Sequence, residues 1–393
     1  MSATDEPVPF GNFQHEIYLR GMAGETPPHP MGWADLEAAA FEALDPGPAG
    51  YLFGGASTED TMRANLAAFR RHRIVPRMLR DVSVRALGRT VLGTALPAPV
   101  GLAPVGVQSI VHPDGELATA RAAGAAGLLY VASTASSSTL EAIAAACGVG
   151  PRWFQLYWPR GEELAASFVS RAEAAGYAAL VVTLDTWLLG WRPRDLQLAY
   201  LPFLRSIGIA NYLSDPVFRS TLPAPPEEDP QAAVGQFVGV FSNPSVTWED
   251  LAWLRETTSL PIVLKGVLDP EDARRAVDAG VDGVIVSNHG GRQVDGAIAA
   301  LDALPEVAAA AGDELAVLMD SGIRSGADAL KALALGARAV LLGRPYMWGL
   351  AVGGEDGVTQ VIRSFLADLD LALALSGHAS VDEVGPELLV RDG

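Results

Sequence analysis

The chain contains one cysteine, Cys147, among 393 residues, so an intrachain disulfide cannot form. Basic residues are also scarce. The 28 Lys and Arg stand against 46 Asp and Glu, a net charge of -18 at pH 7. That balance excludes nucleic acid as a partner class, because no basic surplus is present to neutralise phosphates. Met1 to Pro9 is acidic and lacks the positive stretch and apolar core of a secretory leader. The best candidate for a membrane span, Ala122 to Leu140, is uncharged. It is nevertheless rich in Gly, Ser and Thr, and Ser138-x-x-Glu141 reads as a capping box that opens a new helix. These absences point to a cytoplasmic soluble protein with no metal site.

What the chain does have is apolar residue: 49% of it is hydrophobic, enough for a sizeable core. Eight short apolar runs recur along it. They are Pro99–Pro104, Leu128–Ser133, Trp153–Tyr157, Leu180–Asp185, Pro261–Gly266, Gly283–Ser287, Leu315–Asp320 and Ala339–Arg344. Each reads as a buried strand, with helical patterns between. One such pattern, Pro270 to Gly280, has Pro near its start and Gly after its end. Eight strands alternating with helices predict an α/β fold, a (β/α)8 TIM barrel; an open doubly wound sheet is the alternative. The whole chain, 1–393, reads as one domain. Residues 1–95 form an N-terminal segment that covers the barrel bottom and supplies one loop to the active face, and 96–375 form the barrel. The interval from Asp185 to Lys265 is about 80 residues, long for a strand-to-strand connection. Its Pro223–Pro230 stretch suits neither helix nor strand. The long loop after strand four, residues 196–245, is expected to be an unstructured lid or a spacer.

The chemistry-bearing residues gather where those runs end. Ser287-Asn288-His289-Gly290-Gly291-Arg292 leaves the sixth strand. A histidine can take a proton near neutral pH, and an arginine can hold a carboxylate by two parallel hydrogen bonds. Asp185 ends the fourth strand and can face His289, strengthening it as a base. Lys265 ends the fifth, where a buried ammonium needs a negative partner: a reduced flavin, or Asp185 in a salt bridge. Tyr157 can donate a hydrogen bond to a substrate oxygen or simply pack. The loops after strands seven and eight carry Asp320, Gly322 and Arg324, then Gly343 and Arg344. In barrels these loops commonly bind phosphate, and no Walker or dinucleotide fingerprint is present. A cofactor such as FMN fits that pattern.

In these motifs the chain resembles the FMN-dependent α-hydroxy acid oxidases and dehydrogenases, the glycolate oxidase family. The matching elements are Ala103-Pro104, Phe154-Gln155-Leu156-Tyr157, Thr183-Leu184-Asp185-Thr186, Leu264-Lys265-Gly266-Val267, the Ser-Asn-His-Gly-Gly-Arg run, Asp320-Ser321-Gly322-Ile323-Arg324 and Gly343-Arg344-Pro345. The resemblance spans about Tyr51 to Leu375. It implies an FMN enzyme that oxidises a small 2-hydroxy acid, with O2 as a partner, as a homo-oligomer (tetramer or octamer). His289 is then the base, taking the hydroxyl proton as hydride leaves, or the α-proton in a carbanion route. Asp185 supports it. Arg292 and Tyr51 hold the substrate carboxylate with Arg192 close by, and Tyr157 contacts the hydroxyl. Lys265 meets the flavin at N1. Ala103, Pro104, Val105, Ser133, Gln155, Thr183 and Ser287 are expected around the isoalloxazine. Asp320, Gly322, Arg324, Gly343 and Arg344 are expected at the phosphate end.

Three features resemble the lactate monooxygenase branch of that family. They are the extended head Gly21 to Pro27, the run Asp185 to Asp195, and Gly106 in Ala103-Pro104-Val105-Gly106. A glycine at 106 is expected to leave room for substrate or oxygen beside the flavin. Members that retain pyruvate let peroxide convert it to acetate; members that release it are simple oxidases. The competing reading is an oxidase or dehydrogenase for a bulkier acid such as mandelate, with Gly106, Thr134 and Trp187 shaping the pocket. An isomerase and a non-catalytic flavin protein are weaker alternatives, because neither needs the His289 and Arg292 pair. The apolar stretch Leu196 to Leu213 suggests a lid or subunit contact rather than a membrane anchor, since Pro202 and Arg205 interrupt it and no basic cluster flanks it.

Overall fold

A computed structural model describes residues 8–392; most of the acidic head read for a leader lies outside them. Eight parallel strands close into a barrel: β1 (Val100–Leu102), β2 (Leu129–Ser133), β3 (Arg152–Leu156), β4 (Leu180–Thr183), β5 (Ile262–Val267), β6 (Gly283–Val286), β7 (Ala316–Met319) and β8 (Ala339–Leu342). Each of the eight apolar runs holds one strand. A crossover helix follows every strand: α1 (Gly115–Ala125), α2 (Leu140–Cys147), α3 (Glu162–Ala174), α4 (Asp250–Thr257), α5 (Pro270–Asp278), α6 (Ala300–Ala311), α7 (Gly326–Ala334) and α8 (Arg344–Leu375). The fold is the expected (β/α)8 barrel with an N-terminal extension and a long connection after β4.

Two apolar layers hold it. Strand residues that point outward pack under the helices, while Leu129, Val131, Trp153, Val181, Val263, Ile285, Leu318 and Leu341 fill the barrel interior. A short hairpin, Arg89–Val91 with Thr94–Leu96, adds Val91 and Leu96 to the interior layer. The indole N–H of Trp153 donates to Thr94 Oγ1 at 3.0 Å. Trp153 starts low on β3, so this hairpin closes the end of the barrel opposite the strand tips. The helix Pro46–Phe53 runs at the other end, with Phe53 stacked on Trp348 of α8.

Ala122 to Leu140 breaks into the end of α1, β2 and a turn. Thr139 caps α2 by accepting from the Ala142 amide, so the cap stands one residue past the expected Ser138. Glu141 pairs instead with Arg171. Cys147 is buried and unpaired. Among the described residues no helix is long and apolar enough to cross a membrane.

The connection between β4 and β5 is not the unstructured loop its composition suggests. It folds into short helical pieces, Pro193–Gln197, Pro202–Arg205, Ala210–Leu213, Pro216–Ser220 and Pro230–Phe241. Phe203, Tyr212, Phe218, Phe237 and Phe241 make a connected aromatic cluster. Burying each ring contributes about 1.5–3 kcal/mol, which offsets the poor helix propensity of so many Pro and Gly. Pro223 to Asp229 stays in turns, as its prolines require. Asn211 anchors the segment to the exit of β2, donating to the Thr134 carbonyl at 3.0 Å and accepting from Leu140 N at 2.7 Å.

Candidate active site

All eight strands point their C-terminal ends at one cavity, a concave site of mixed apolar and polar lining. His289 stands on its wall, three residues beyond β6. Its backbone is left-handed, φ +57°, a strained setting for a non-glycine residue. Its Nδ1 lies 2.8 Å from Asp185 Oδ1 and 3.2 Å from Thr186 Oγ1. The Nδ1 proton is thereby committed to the carboxylate, and Nε2 keeps its lone pair. Burial pulls the imidazole pKa below 6.5, outweighing the pull of Asp185 in the other direction. Asp185 raises the pKa as expected, but desolvation is larger, and the ring is a neutral base. Burial pushes Asp185 up, but His289 and Lys265 outweigh it and hold the carboxyl at about 2.

Opposite this pair sit two guanidinium groups. Arg292 Nη1 donates to the carbonyls of Tyr51 at 2.5 Å and Gly54 at 2.9 Å, and the group lies 4.9 Å from the Tyr51 ring centre. Burial and the neighbouring Arg192 lower its pKa to about 10. Arg192 Nε donates to the Arg292 carbonyl at 3.1 Å. The nearest acid is Asp195, 4.0 Å from Arg192 Nη1. Two buried cations with so little counter-charge form a site for an anion. Tyr157 completes the wall; burial raises its pKa, with Asp185 adding to the effect, so the hydroxyl stays a donor. Its ring packs 5.2 Å from Phe241 of the β4–β5 connection.

The rest of the cavity is built by β1, β2, β5, β7 and β8. Ala103, Pro104 and Val105 line it from β1, and Ser133 from β2. Lys265 Nζ donates to Ser287 Oγ at 2.8 Å and lies 3.1 Å from Asp320 Oδ2. Its salt-bridge partner is therefore Asp320, not Asp185. Burial lowers the ammonium pKa, but Asp320 and Asp185 outweigh it and the group stays charged. Gly322, Arg324, Gly343 and Arg344 line the far end. Arg344 donates only to the carbonyls of Leu52, Gly290 and Gly54 and to a Met62 sulfur; Arg324 donates only to the Ile323 carbonyl. Among the described residues neither has a carboxylate within salt-bridge distance, and burial lowers both, Arg344 to about 9. Gln155, Thr183, Asp185 and Ser287 stand one layer behind. Gln155 accepts from Ser133 Oγ at 2.9 Å. The Gln155 amide nitrogen and Thr183 Oγ1 are buried with no partner among the described residues.

That donor set fits a polar heterocycle carrying a phosphate. Orphaned buried groups cost about 1–3 kcal/mol each, and the ring edge of a flavin supplies both donors and acceptors to meet them. The two free guanidinium groups match the phosphate.

Comparison with known proteins agrees. Residues 40–391 match the family described as FMN-dependent dehydrogenase. The chain belongs to that family. An L-lactate oxidase of Lysinibacillus sphaericus is 44% identical over 96% of this chain and 97% of its own length. A 4-hydroxymandelate oxidase of Amycolatopsis orientalis is 44% identical over 88% and 95%. A solved mandelate oxidase with (S)-4-hydroxymandelic acid superposes with TM-score 0.82 at 42% identity, covering 92% of this chain and 99% of that one. The protein is an FMN-dependent oxidoreductase of the 2-hydroxy acid oxidising class.

Within this member of the family, two of the three expected pocket residues lie off the cavity. A Cβ added at Gly106 would fall 2.3 Å from the Ala135 carbonyl oxygen. Gly106 lines the cavity as expected, and the loops after β1 and β2 also touch there, with Val107 N donating to that same oxygen at 2.9 Å, so the contact requires a glycine. Thr134 is buried behind the cavity, donating to the Gln155 carbonyl and accepting from Tyr157 N. Trp187 is off the cavity as well. Leu189, Phe203 and Phe241 line it instead. Their positions depend on tertiary packing of an irregular segment, which carries no periodic signal. Thr186 touches His289 and Asp185; it was legible only as part of the Thr183 to Thr186 motif.

Proposed function

We propose that the enzyme oxidises a short L-2-hydroxy acid such as L-lactate, with dioxygen as the second substrate, and retains the 2-oxo product. Retained pyruvate reacts with hydrogen peroxide: lactate and O2 then give acetate, CO2 and water. The observation that carries the reading is one cavity holding a neutral histidine, braced by Asp185, beside two nearly uncompensated arginines. FMN, when bound, supplies the two-electron acceptor that dioxygen restores. Arg292 and Arg192 bind the substrate carboxylate, and Tyr51 packs against Arg292. His289 Nε2 receives the hydroxyl proton and Tyr157 donates to the hydroxyl oxygen. Lys265 holds positive charge at the flavin ring edge, and Arg324 with Arg344 takes the phosphate. Ala103, Pro104, Val105, Ser133, Gln155 and Thr183 surround the ring, while Ser287 and Asp320 orient Lys265.

Retention is supported by Phe203 and Phe241, which bring the packed β4–β5 connection onto the cavity wall. The same aromatic wall supports a second reading, an oxidase or dehydrogenase for an aryl acid such as mandelate. Steady-state kinetics with L-lactate and (S)-mandelate separate them. A kcat/KM at least tenfold higher for lactate supports the first, and the reverse order favours the second.

A further inference from the structure

Gln293 follows Arg292 directly, and its side-chain amide uses its full hydrogen-bonding capacity on one segment of chain. Its nitrogen donates to the carbonyls of Asp185 at 2.7 Å and Leu188 at 2.9 Å. Its oxygen accepts from Arg192 Nη2 at 2.7 Å and from Gly190 N at 3.4 Å. All four partners lie in the eight residues that leave β4. That segment has no regular structure before Pro193. Among the described residues, 185–190 makes no backbone–backbone hydrogen bond at all. The Gln293 side chain therefore supplies the main polar tie between this segment and the barrel. Backbone contact reinforces it: a Cβ at Gly190 would fall 2.6 Å from the Arg292 carbonyl oxygen, so the two loops are pressed together here.

The tied segment carries Asp185, Thr186, Leu189 and Arg192. The loop that holds the tie carries His289 and Arg292. Without Gln293 the polar ties between the two halves of the site would be the contacts of His289 with Asp185 and Thr186 and of Arg192 with the Arg292 carbonyl.

We propose that Gln293 is a positioning residue. It latches the β4 loop to the β6 loop, sets Arg192 beside Arg292 for carboxylate binding, and sets Asp185 against His289. This deepens the proposed function by naming what holds the anion clamp together, and rests on that reading for the clamp's ligand. It does not depend on whether pyruvate is retained.

Two variants test it in the FMN-loaded enzyme. Gln293→Leu removes all four bonds. Gln293→Glu keeps an acceptor for Arg192 but turns the donors that face two carbonyls into an acceptor. Pyruvate is the probe, titrated without turnover and followed by the change in flavin absorbance. Both variants are expected to bind pyruvate at least tenfold more weakly than wild type, with unchanged flavin content. KM for the hydroxy acid should rise more than kcat falls. The acid limb of kcat/KM should move to lower pH, because His289 loses the carboxylate that raises its pKa. Pyruvate affinity and acid limb both within twofold of wild type, in either variant that retains FMN, would overturn the latch. Failure of wild-type enzyme to bind pyruvate would overturn the clamp reading itself, a distinct result.

Discussion

His289 Nδ1 lies 2.8 Å from Asp185 Oδ1, bridging the loops after β6 and β4 across the mouth of the barrel. The contact fixes which ring nitrogen is free. A base held this way contributes about 10²–10⁴-fold to rate. His289→Gln should therefore lower kcat by about that factor while leaving FMN bound, measured by stopped-flow reduction of the flavin under anaerobic conditions. Asp185→Asn should fall in the same range, because the amide can present its NH2 to Nδ1 and select the wrong tautomer.

The pH profile follows from burial. The neutral imidazole is the active form and its pKa is lowered below 6.5. As pH drops through that value the ring gains a proton and kcat/KM falls about tenfold per unit. The acid limb should thus lie below pH 6.5, with no loss between it and neutrality. Asp185 has a linkage of the same sign, at lower pH. Its folded pKa is depressed from 3.8 to about 2, so the stability it contributes is present above its unfolded pKa and is lost as pH falls through the folded one. A limb above pH 7 in kcat/KM would contradict the assignment of His289 as a desolvated base.

Arg292→Lys keeps the charge but loses the planar fork. Losing one of two charge-assisted bonds costs about 1.5–3 kcal/mol, so KM for the hydroxy acid should rise about 10–100-fold. Kinetics with the uncharged amide of the same acid provide the control, since the amide should lose far less between wild type and variant.

Among the described residues Arg324 makes one hydrogen bond, to the Ile323 carbonyl, and its guanidinium lies 4.9 Å from the Trp348 ring centre, so the riboflavin control separates lost phosphate binding from lost packing. Arg324→Ala should weaken FMN binding about 10–100-fold and leave riboflavin binding nearly unchanged. Equilibrium titration of the apoprotein with both flavins measures the difference. Equal loss for the two would mean that the phosphate lies elsewhere.

Gly106→Ala should destabilise the fold. The added methyl meets the Ala135 carbonyl oxygen at 2.3 Å, and relieving an overlap of that kind costs about 1–3 kcal/mol. A lower Tm of the holoenzyme with a shifted flavin spectrum is the expected outcome. An unchanged Tm would mean that the loops part easily.

Much of this architecture was legible in the residues alone. Buried parallel strands are continuous apolar runs, so β1 to β8 could be located from composition, and the residues that end them had to face one mouth. Other features could not be read. Lys265 pairs with Asp320 rather than Asp185 because of the geometry of barrel closure, which no local pattern encodes. Phe203 and Phe241 reach the cavity through an aromatic cluster assembled from separated short helices. Gln293 looked like one more polar residue after the His–Arg run; its importance comes from four partners about a hundred positions earlier. Gly106 lines the cavity as its sequence context suggested, but its contact with the Ala135 carbonyl of a neighbouring loop could not be read.

The central claim is that oxidation and product retention occur in one cavity. Product analysis after aerobic turnover of L-lactate by the yellow holoenzyme tests it most directly. The account predicts acetate and CO2 in equal amounts, with no accumulating hydrogen peroxide. Pyruvate with an equal amount of hydrogen peroxide would contradict it, and would make the enzyme a simple oxidase whose aromatic wall opens before peroxide can react.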